Sequence, residues 1–171
     1  MVVENGDGLE NSDSYVSVAF ADDYFSARGI SSWDGLEDLR KEQALVRATD
    51  YIDSIFQWYG QKLNPKQALR FPRQNLFDYE GQEVSGIPTV LKQSVCDAAI
   101  LTSDGTELFI TSEANGDVVS EKIGELAFTY QKNGGGSITS KTLYDSINTR
   151  LRGLYKDTGS KSVVSGKAVR A

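Results

Sequence analysis

The sequence predicts a mainly α fold: a four-helix, bundle-like body, a small β-ribbon inserted before the last helix, and extended arms at both ends. Three observations carry this. Apolar residues recur at helical spacing in four separate stretches. After Thr106 the apolar period drops from 3.6 to 2. Both ends are poor in large apolar residues.

Each element follows from local chemistry. Residues 1–14 hold Glu4, Asp7, Glu10 and Asp13, two glycines and no basic residue, and read as a flexible acidic arm. Ser17 is a good N-cap for a helix from about Val18 to Ala27, with Phe20, Tyr24 and Ala27 on one face and Arg28-Gly29 ending it. Asp34 and Glu37 have capping-box spacing and open a long helix to about Tyr59. Leu45, Ala48, Ile52, Ile55, Phe56 and Tyr59 form its stripe. Arg40, Lys41, Arg47, Asp50 and Asp53 form its solvated side, and Gly60 stops it. Residues 61–86 lack helical period and are punctuated by Pro65, Pro72, Gly81 and Gly86. Pro88 at N1 opens a third helix to about Ser103, with Leu91, Val95, Ala98, Ala99 and Leu101 inward and Cys96 as a small buried hydrophobe.

A β-ribbon at about 107–131 comes next. Leu108–Ser112 and Val118–Ile123 flank Asn115-Gly116, and Leu126, Phe128 and Tyr130 alternate after Gly124-Glu125. The glycines 134–136 make a joint. A fourth helix spans about Ser140 to Tyr155, with Leu143, Ile147, Leu151 and Leu154 on one face. The predicted units are therefore an acidic arm (1–14), a helical domain (15–155) and a basic extended tail (156–171).

Composition narrows the function. At 171 residues with 39% hydrophobic content, the chain builds a core without metal or disulfide support. A single cysteine and no histidine exclude an intrachain disulfide, Cys-cluster zinc sites, and Ser-His-Asp or Cys-His catalysis. No apolar run approaches the ~20 residues of a membrane span. The expectation is a soluble protein of the cytoplasm, or one assembled from there, with no enzyme activity, no metal and no cofactor. The net charge of −6 divides into −11 over residues 1–140 and +5 over residues 141–171. Such a division fits an interaction device.

Candidate sites are few. Asp50 and Asp53 have i, i+3 spacing for a metal but no third ligand, and read as a solvated helix face. Glu113-x-Asn115-x-Asp117 lacks the glycine and distant glutamate of a calcium loop. The glycines 134–136 lack the Lys-Ser/Thr of a phosphate loop. One stretch combines aromatics with cations and holds no acid: Trp58, Tyr59 and Phe71 lie near Lys62, Lys66, Arg70 and Arg73. Stacking plus positive charge suits single-stranded nucleic acid, with Trp58 or Phe71 as the exposed platform. The competing arrangement has the aromatics sealing the bundle, and the acidic remainder favours it.

Several runs resemble the head–tail adaptor (connector, or head-completion) proteins of tailed bacteriophages. They are Ser14-Tyr15-Val16-Ser17, Ala21-Asp22, Tyr24-Phe25, Arg28-Gly29 and Trp33, followed by Lys41-Glu42-x-Ala44-Leu45 and Ala48-Thr49-x-Tyr51-Ile52-Asp53. Gln67-Ala68-Leu69-x-Phe71-Pro72-Arg73, Ile87-Pro88 and Ser120-Glu121-Lys122-Ile123-Gly124-Glu125, with Tyr130, complete the pattern. The resemblance spans about residues 14–155, and the two arms depart from it. Some relatives are labelled DnaT-like single-stranded-DNA-binding proteins, which is the alternative reading for the basic loop.

The resemblance implies a structural ring, typically of twelve copies, under the portal protein. The ring extends the DNA channel and offers a platform to a tail or nozzle protein. It implies a place in the virion at the head–tail interface after synthesis in the host cytoplasm. Double-stranded DNA would pass an acidic lumen without specific binding, with no membrane involved. The expected subunit contact is the ribbon, through Val119, Glu121, Ile123, Leu126, Phe128 and Tyr130. The expected portal anchor is the tail, through Lys156, Lys161, Val163, Val164, Lys167 and Arg170, where an apolar pair among cations suits addition to another chain's sheet.

Overall fold

The structure, a computed structural model, describes residues 1–103, 118–123, 126–131 and 140–156. These residues form four helices and two small antiparallel sheets, so the fold is mainly helical. The helices are α1 (Val18–Ser26), α2 (Asp38–Ile55), α3 (Thr89–Ser103) and α4 (Ser140–Leu151). The short strands β1 (Gln61–Lys62) and β2 (Arg73–Gln74) pair with each other, as do β3 (Val118–Ile123) and β4 (Leu126–Gln131).

The core is the α2–α3 interface, with α1 and α4 laid against it. Ala44 and Ala48 of α2 and Ala98 and Ala99 of α3 are all buried. Small side chains let the two backbones close up, and the Thr102 hydroxyl reaches the Ala44 carbonyl across the gap at 3.4 Å. Leu45, Ile52, Leu91 and Val95 fill the space on either side, with Ile147 and Leu151 arriving from α4. Cys96 is buried, and burial pushes its thiol up to about 12, so it packs as a small hydrophobe.

Polar ties fix the outer helices. The Asp97 carboxylate of α3 accepts from the Tyr24 hydroxyl of α1 at 2.7 Å and pairs with Arg150 of α4. Asp22 of α1 accepts from the Trp33 indole at 2.7 Å and from Lys41 Nζ at 2.9 Å. Lys41 is thereby buried in an ion pair rather than solvated as its helix position suggests.

Helix ends differ in part from expectation. Ser17 caps α1, accepting from the Phe20 N–H at 3.2 Å, and Gly29 (φ 66°) turns the chain beyond it. Asp34 and Glu37 form no capping box. Residues 31–36 make turns, and α2 begins at Asp38 without a side-chain cap. Pro88 sits one position before α3, where its carbonyl accepts from Leu91 and Lys92. α2 stops at Ile55 rather than Tyr59, and α4 stops at Leu151 rather than Tyr155. The cause is common to both: Trp58 pairs antiparallel with Tyr155. Around that bridge Tyr59 N–H donates to Leu154 O at 3.0 Å, and Lys156 N–H to Gln57 O at 2.6 Å.

The acidic arm is a closed loop. Val3 bridges Ser14, and Glu4 is buried at 2% exposure. Its carboxylate accepts from the Gly6, Gly8 and Leu9 N–H groups at 3.0, 3.0 and 2.9 Å, and from the Ser12 hydroxyl at 3.0 Å. One side chain thus replaces the hydrogen bonds that an irregular segment otherwise takes from water. Glycine is required at position 8: φ is 78°, and an added Cβ would lie 3.0 Å from Asn64.

Glu4→Ala strands four donors, two of them buried, and is expected to cost at least about 2 kcal/mol in urea unfolding. Ile52→Ala, a core truncation, sets the comparison at about 2–5 kcal/mol. A Glu4→Ala chain as stable as the native one would mean that the loop contributes nothing to the fold.

Candidate nucleic-acid interface

Residues 57–74 lead away from α2 and return, with Pro65 near the tip of the loop and β1–β2 at its neck. Gly60 lets the neck close. Its φ is 69°, and a Cβ there would lie 2.6 Å from the Gln74 carbonyl. Gln67 is buried and organises the tip, donating to the Leu69 and Pro72 carbonyls at 2.9 and 3.1 Å and accepting from Asn64 N–H at 3.0 Å. The Phe71–Pro72 peptide is cis. The N-terminal loop buttresses one side, where Ala68 N–H donates to Leu9 O and Asn64 Nδ2 to Gly8 O.

The loop sits on an aromatic floor running Tyr155–Phe56–Trp58–Phe71–Tyr15, with successive centroids 4.6, 5.3, 4.9 and 6.3 Å apart. Trp58 is 5% exposed and Phe71 0%. Neither is the exposed platform that the sequence pattern offered. They seal the body, as the competing arrangement had it. The Trp58 indole N–H has no hydrogen-bond partner among the described residues.

Beneath the loop lies Asp53. Its carboxylate accepts from the Tyr15 hydroxyl at 2.8 Å and from Arg70 N–H at 2.9 Å, while Phe71 N–H donates to the Tyr15 oxygen at 3.0 Å. Asp53 is therefore a structural acceptor and not part of a solvated face or a metal pair. Burial pushes its pKa up to about 6, against the two hydrogen bonds that favour the carboxylate.

The four cations divide by task. Arg73 spends its fork on the backbone, donating to the carbonyls of Tyr59, of Gly60 at 2.8 Å and of Arg70 at 3.0 Å. Lys62 Nζ donates to Gln67 O at 2.9 Å. Lys66 is exposed, and its ammonium lies 3.9 Å from the carboxylate of Glu10, which is exposed as well. Arg70 is exposed, and its guanidinium makes no hydrogen bond or ion pair to the described residues. So two cations build the loop, and two face solvent, Lys66 beside Glu10 and Arg70 outside any ion pair among the described residues.

The family model described as "Putative DnaT-like ssDNA binding protein" matches residues 1–171. The chain belongs to this DnaT-like family. The match runs through both ends, including the segments where the adaptor resemblance breaks off. No curated protein and no solved structure matches the chain.

In this DnaT-like chain, the sequence pattern grouped Tyr59 with Trp58 and Phe71 without making it the platform, and passed over Phe77 and Tyr79. Tyr59 is 45% exposed, Phe77 54% and Tyr79 83%. Tyr79 packs against the Gly153 turn, where an added Cβ would lie 3.4 Å from its own. Three acids, Asp78, Glu80 and Glu83, surround Phe77 and Tyr79 in sequence, whereas residues 54–77 hold none. The ribbon's register pairs Val119 with Tyr130, Glu121 with Phe128 and Ile123 with Leu126, so the six predicted contact residues oppose one another. Leu108–Ser112, Asn115-Gly116 and the glycines 134–136 lie outside the described residues. So do Lys161, Val163, Val164, Lys167 and Arg170. Lys156 is described: its side chain is exposed, but its backbone is tied to Gln57, so the chain doubles back here rather than leaving the body at Tyr155.

The Asp53 pKa predicts a pH dependence. Folding favours the protonated acid, so this group's contribution is fully present below about pH 4 and is lost as pH rises through about 6. A carboxyl NMR titration should place its midpoint near 6. The difference in unfolding free energy between the native chain and Asp53→Asn should change over that window. A midpoint near the ordinary ~3.9 would overturn the assignment.

Proposed function

We propose that the chain binds single-stranded DNA through the loop at residues 57–74. The observation that carries this reading is local electrostatics: in an acidic protein, one braced loop holds four cations, no acid, and two cations facing solvent. The whole-length family match supports it. The loop's bracing also favours binding, because a surface already held in shape loses little freedom on association. Most affinity for a phosphate backbone comes from Lys and Arg, so the binding is salt-sensitive and confined to this face.

A second reading is the head-to-tail adaptor. We propose it as a ring of twelve copies of this chain, bound to a portal protein and a tail or nozzle protein in a phage virion. Its support is the ordered set of residue runs shared with such adaptors, together with the ribbon register that sets the six expected contact residues opposite one another. On this reading the tail from Lys156 reaches the portal.

Both tryptophans are buried, Trp33 as well as Trp58, so intrinsic fluorescence is a poor reporter of binding. Anisotropy of a dye-labelled oligothymidylate is the suitable test. The native chain should bind with affinity that falls as salt rises. Lys66→Glu with Arg70→Glu should abolish most of the binding while leaving the melting temperature nearly unchanged. An absence of binding at low salt would remove the DNA-binding reading. Recovery of the chain in purified virions at portal-like copy number would then establish the adaptor.

A further inference from the structure

We infer that Tyr59 is the base-stacking residue of this loop and that Arg73 is the positioning residue that sets it beside Arg70. The inference rests on the DNA-binding reading and deepens it, from a charged loop to a surface selective for unpaired bases.

The geometry begins with alternation. In the extended segment that pairs with residues 154–156, Gln57 is exposed, Trp58 buried and Tyr59 exposed. Trp58 goes to the aromatic floor, and its neighbour is left facing water with 45% of its surface open. The Tyr59 backbone is held on both sides. Its N–H donates to Leu154 O at 3.0 Å, and its carbonyl accepts from Arg73 Nε. A stacking residue held this way orders little further when a base arrives.

Arg73 supplies the second half of the site. A guanidinium is planar and rigid, so its donors fix the spacing of whatever they bind. Here one fork holds the Tyr59, Gly60 and Arg70 carbonyls, from the segments that lead into β1 and β2 at the neck. It therefore ties together the backbones that carry an exposed ring and an exposed cation. The Arg70 N–H is anchored as well, on Asp53 at 2.9 Å. Ring plus cation is the combination that takes a base face together with its phosphate. Duplex DNA offers the phosphate but keeps its base faces stacked inside, so the ring confers preference for single strands.

The other exposed aromatics are less suited. Phe77 and Tyr79 share their turn with Asp78, Glu80 and Glu83, and that charge repels phosphate.

The test compares an end-labelled oligothymidylate of about 20 nucleotides, longer than one site, with a duplex of the same length. Tyr59→Leu should weaken single-strand binding by at least about 5-fold and leave duplex binding unchanged. Tyr59→Phe should keep native affinity. Arg73→Lys retains the charge but not the fork, and should lower the ratio of single-strand to duplex affinity by at least about 5-fold. A Tyr59→Trp chain provides a readout independent of affinity: its added fluorescence should be quenched by the oligothymidylate, since the two native tryptophans are buried. If the native chain binds and Tyr59→Leu binds equally well, or Tyr59→Trp is not quenched, the stacking role is overturned and the charged loop stands. If the native chain binds no single strand, the DNA-binding reading falls, and this inference falls with it.

Discussion

The arrangement depends on one half-buried carboxylate. Asp53 lies in the last turns of α2, where it meets Tyr15 from the N-terminal segment and the backbone of residues 70–71. Those three pieces are distant in sequence and share no regular secondary structure. A core of small and aliphatic side chains specifies how α2 meets α3, but it is non-directional and leaves irregular loops free to slide. Hydrogen bonds to a fixed acceptor are directional. Asp53 therefore sets the height and rotation of the loop over the aromatic floor, and the cost is a carboxylate that burial disfavours as an ion. Tyr15 relays the constraint. Its hydroxyl donates to Asp53 and accepts from Phe71 N–H, so ring, carboxylate and loop backbone are registered together.

Charge placement follows from the same economy of directional groups. Lys41, Lys62, Arg73 and Arg150 are turned inward, toward Asp22, a loop carbonyl, three neck carbonyls and Asp97. Such cations add little to the outward field, because their donors are spent on fixed partners. The outward field is then set by the residues left over. Over most of the described chain these are acids. Over residues 54–77 they are Lys66 and Arg70. A formal count of charges describes an acidic protein, whereas residues 54–77 hold no acid of their own.

Much of the helical body was legible in the sequence. Ser17, the α2 stripe through Ile52, the small-residue face of α3 and the alternation at Leu126–Tyr130 all carry their physics in spacing. The failures have a shared cause. At Phe56–Tyr59 the apolar spacing continues that of α2, but the chain is extended, because Tyr155 offers a strand partner more than ninety positions away. Once those residues are extended, neighbours point opposite ways, and the exposed aromatic is Tyr59 rather than Trp58. Residues 1–14 read as a free arm because glycines and acids resemble a solvated segment. No composition rule anticipates that Glu4 gathers three backbone N–H groups and a hydroxyl onto one carboxylate. Lys41 and Asp53 were misplaced for a related reason. Helical periodicity assigns a charged residue to solvent and cannot see a partner on another element.

The residues that carry the adaptor resemblance now have assigned tasks, and those tasks are architectural. Ser14 is buried; Tyr15 and Asp53 register the loop; Asp22, Trp33 and Lys41 lock α1 to α2. Gln67 shapes the loop tip, and Arg73 closes its neck. A likeness built from such residues speaks for a shared framework and is neutral about what the framework presents. The presenting positions are the ones the pattern leaves blank. Arg70 occupies the unspecified place between Leu69 and Phe71, and Tyr59 and Lys66 fall outside every quoted run. A framework that fixes the backbone so firmly can carry different side chains at those positions without disturbing the core, so one architecture can serve a channel in one protein and a nucleic-acid surface in another. Function in such a fold is decided by the few residues that do not hold it together.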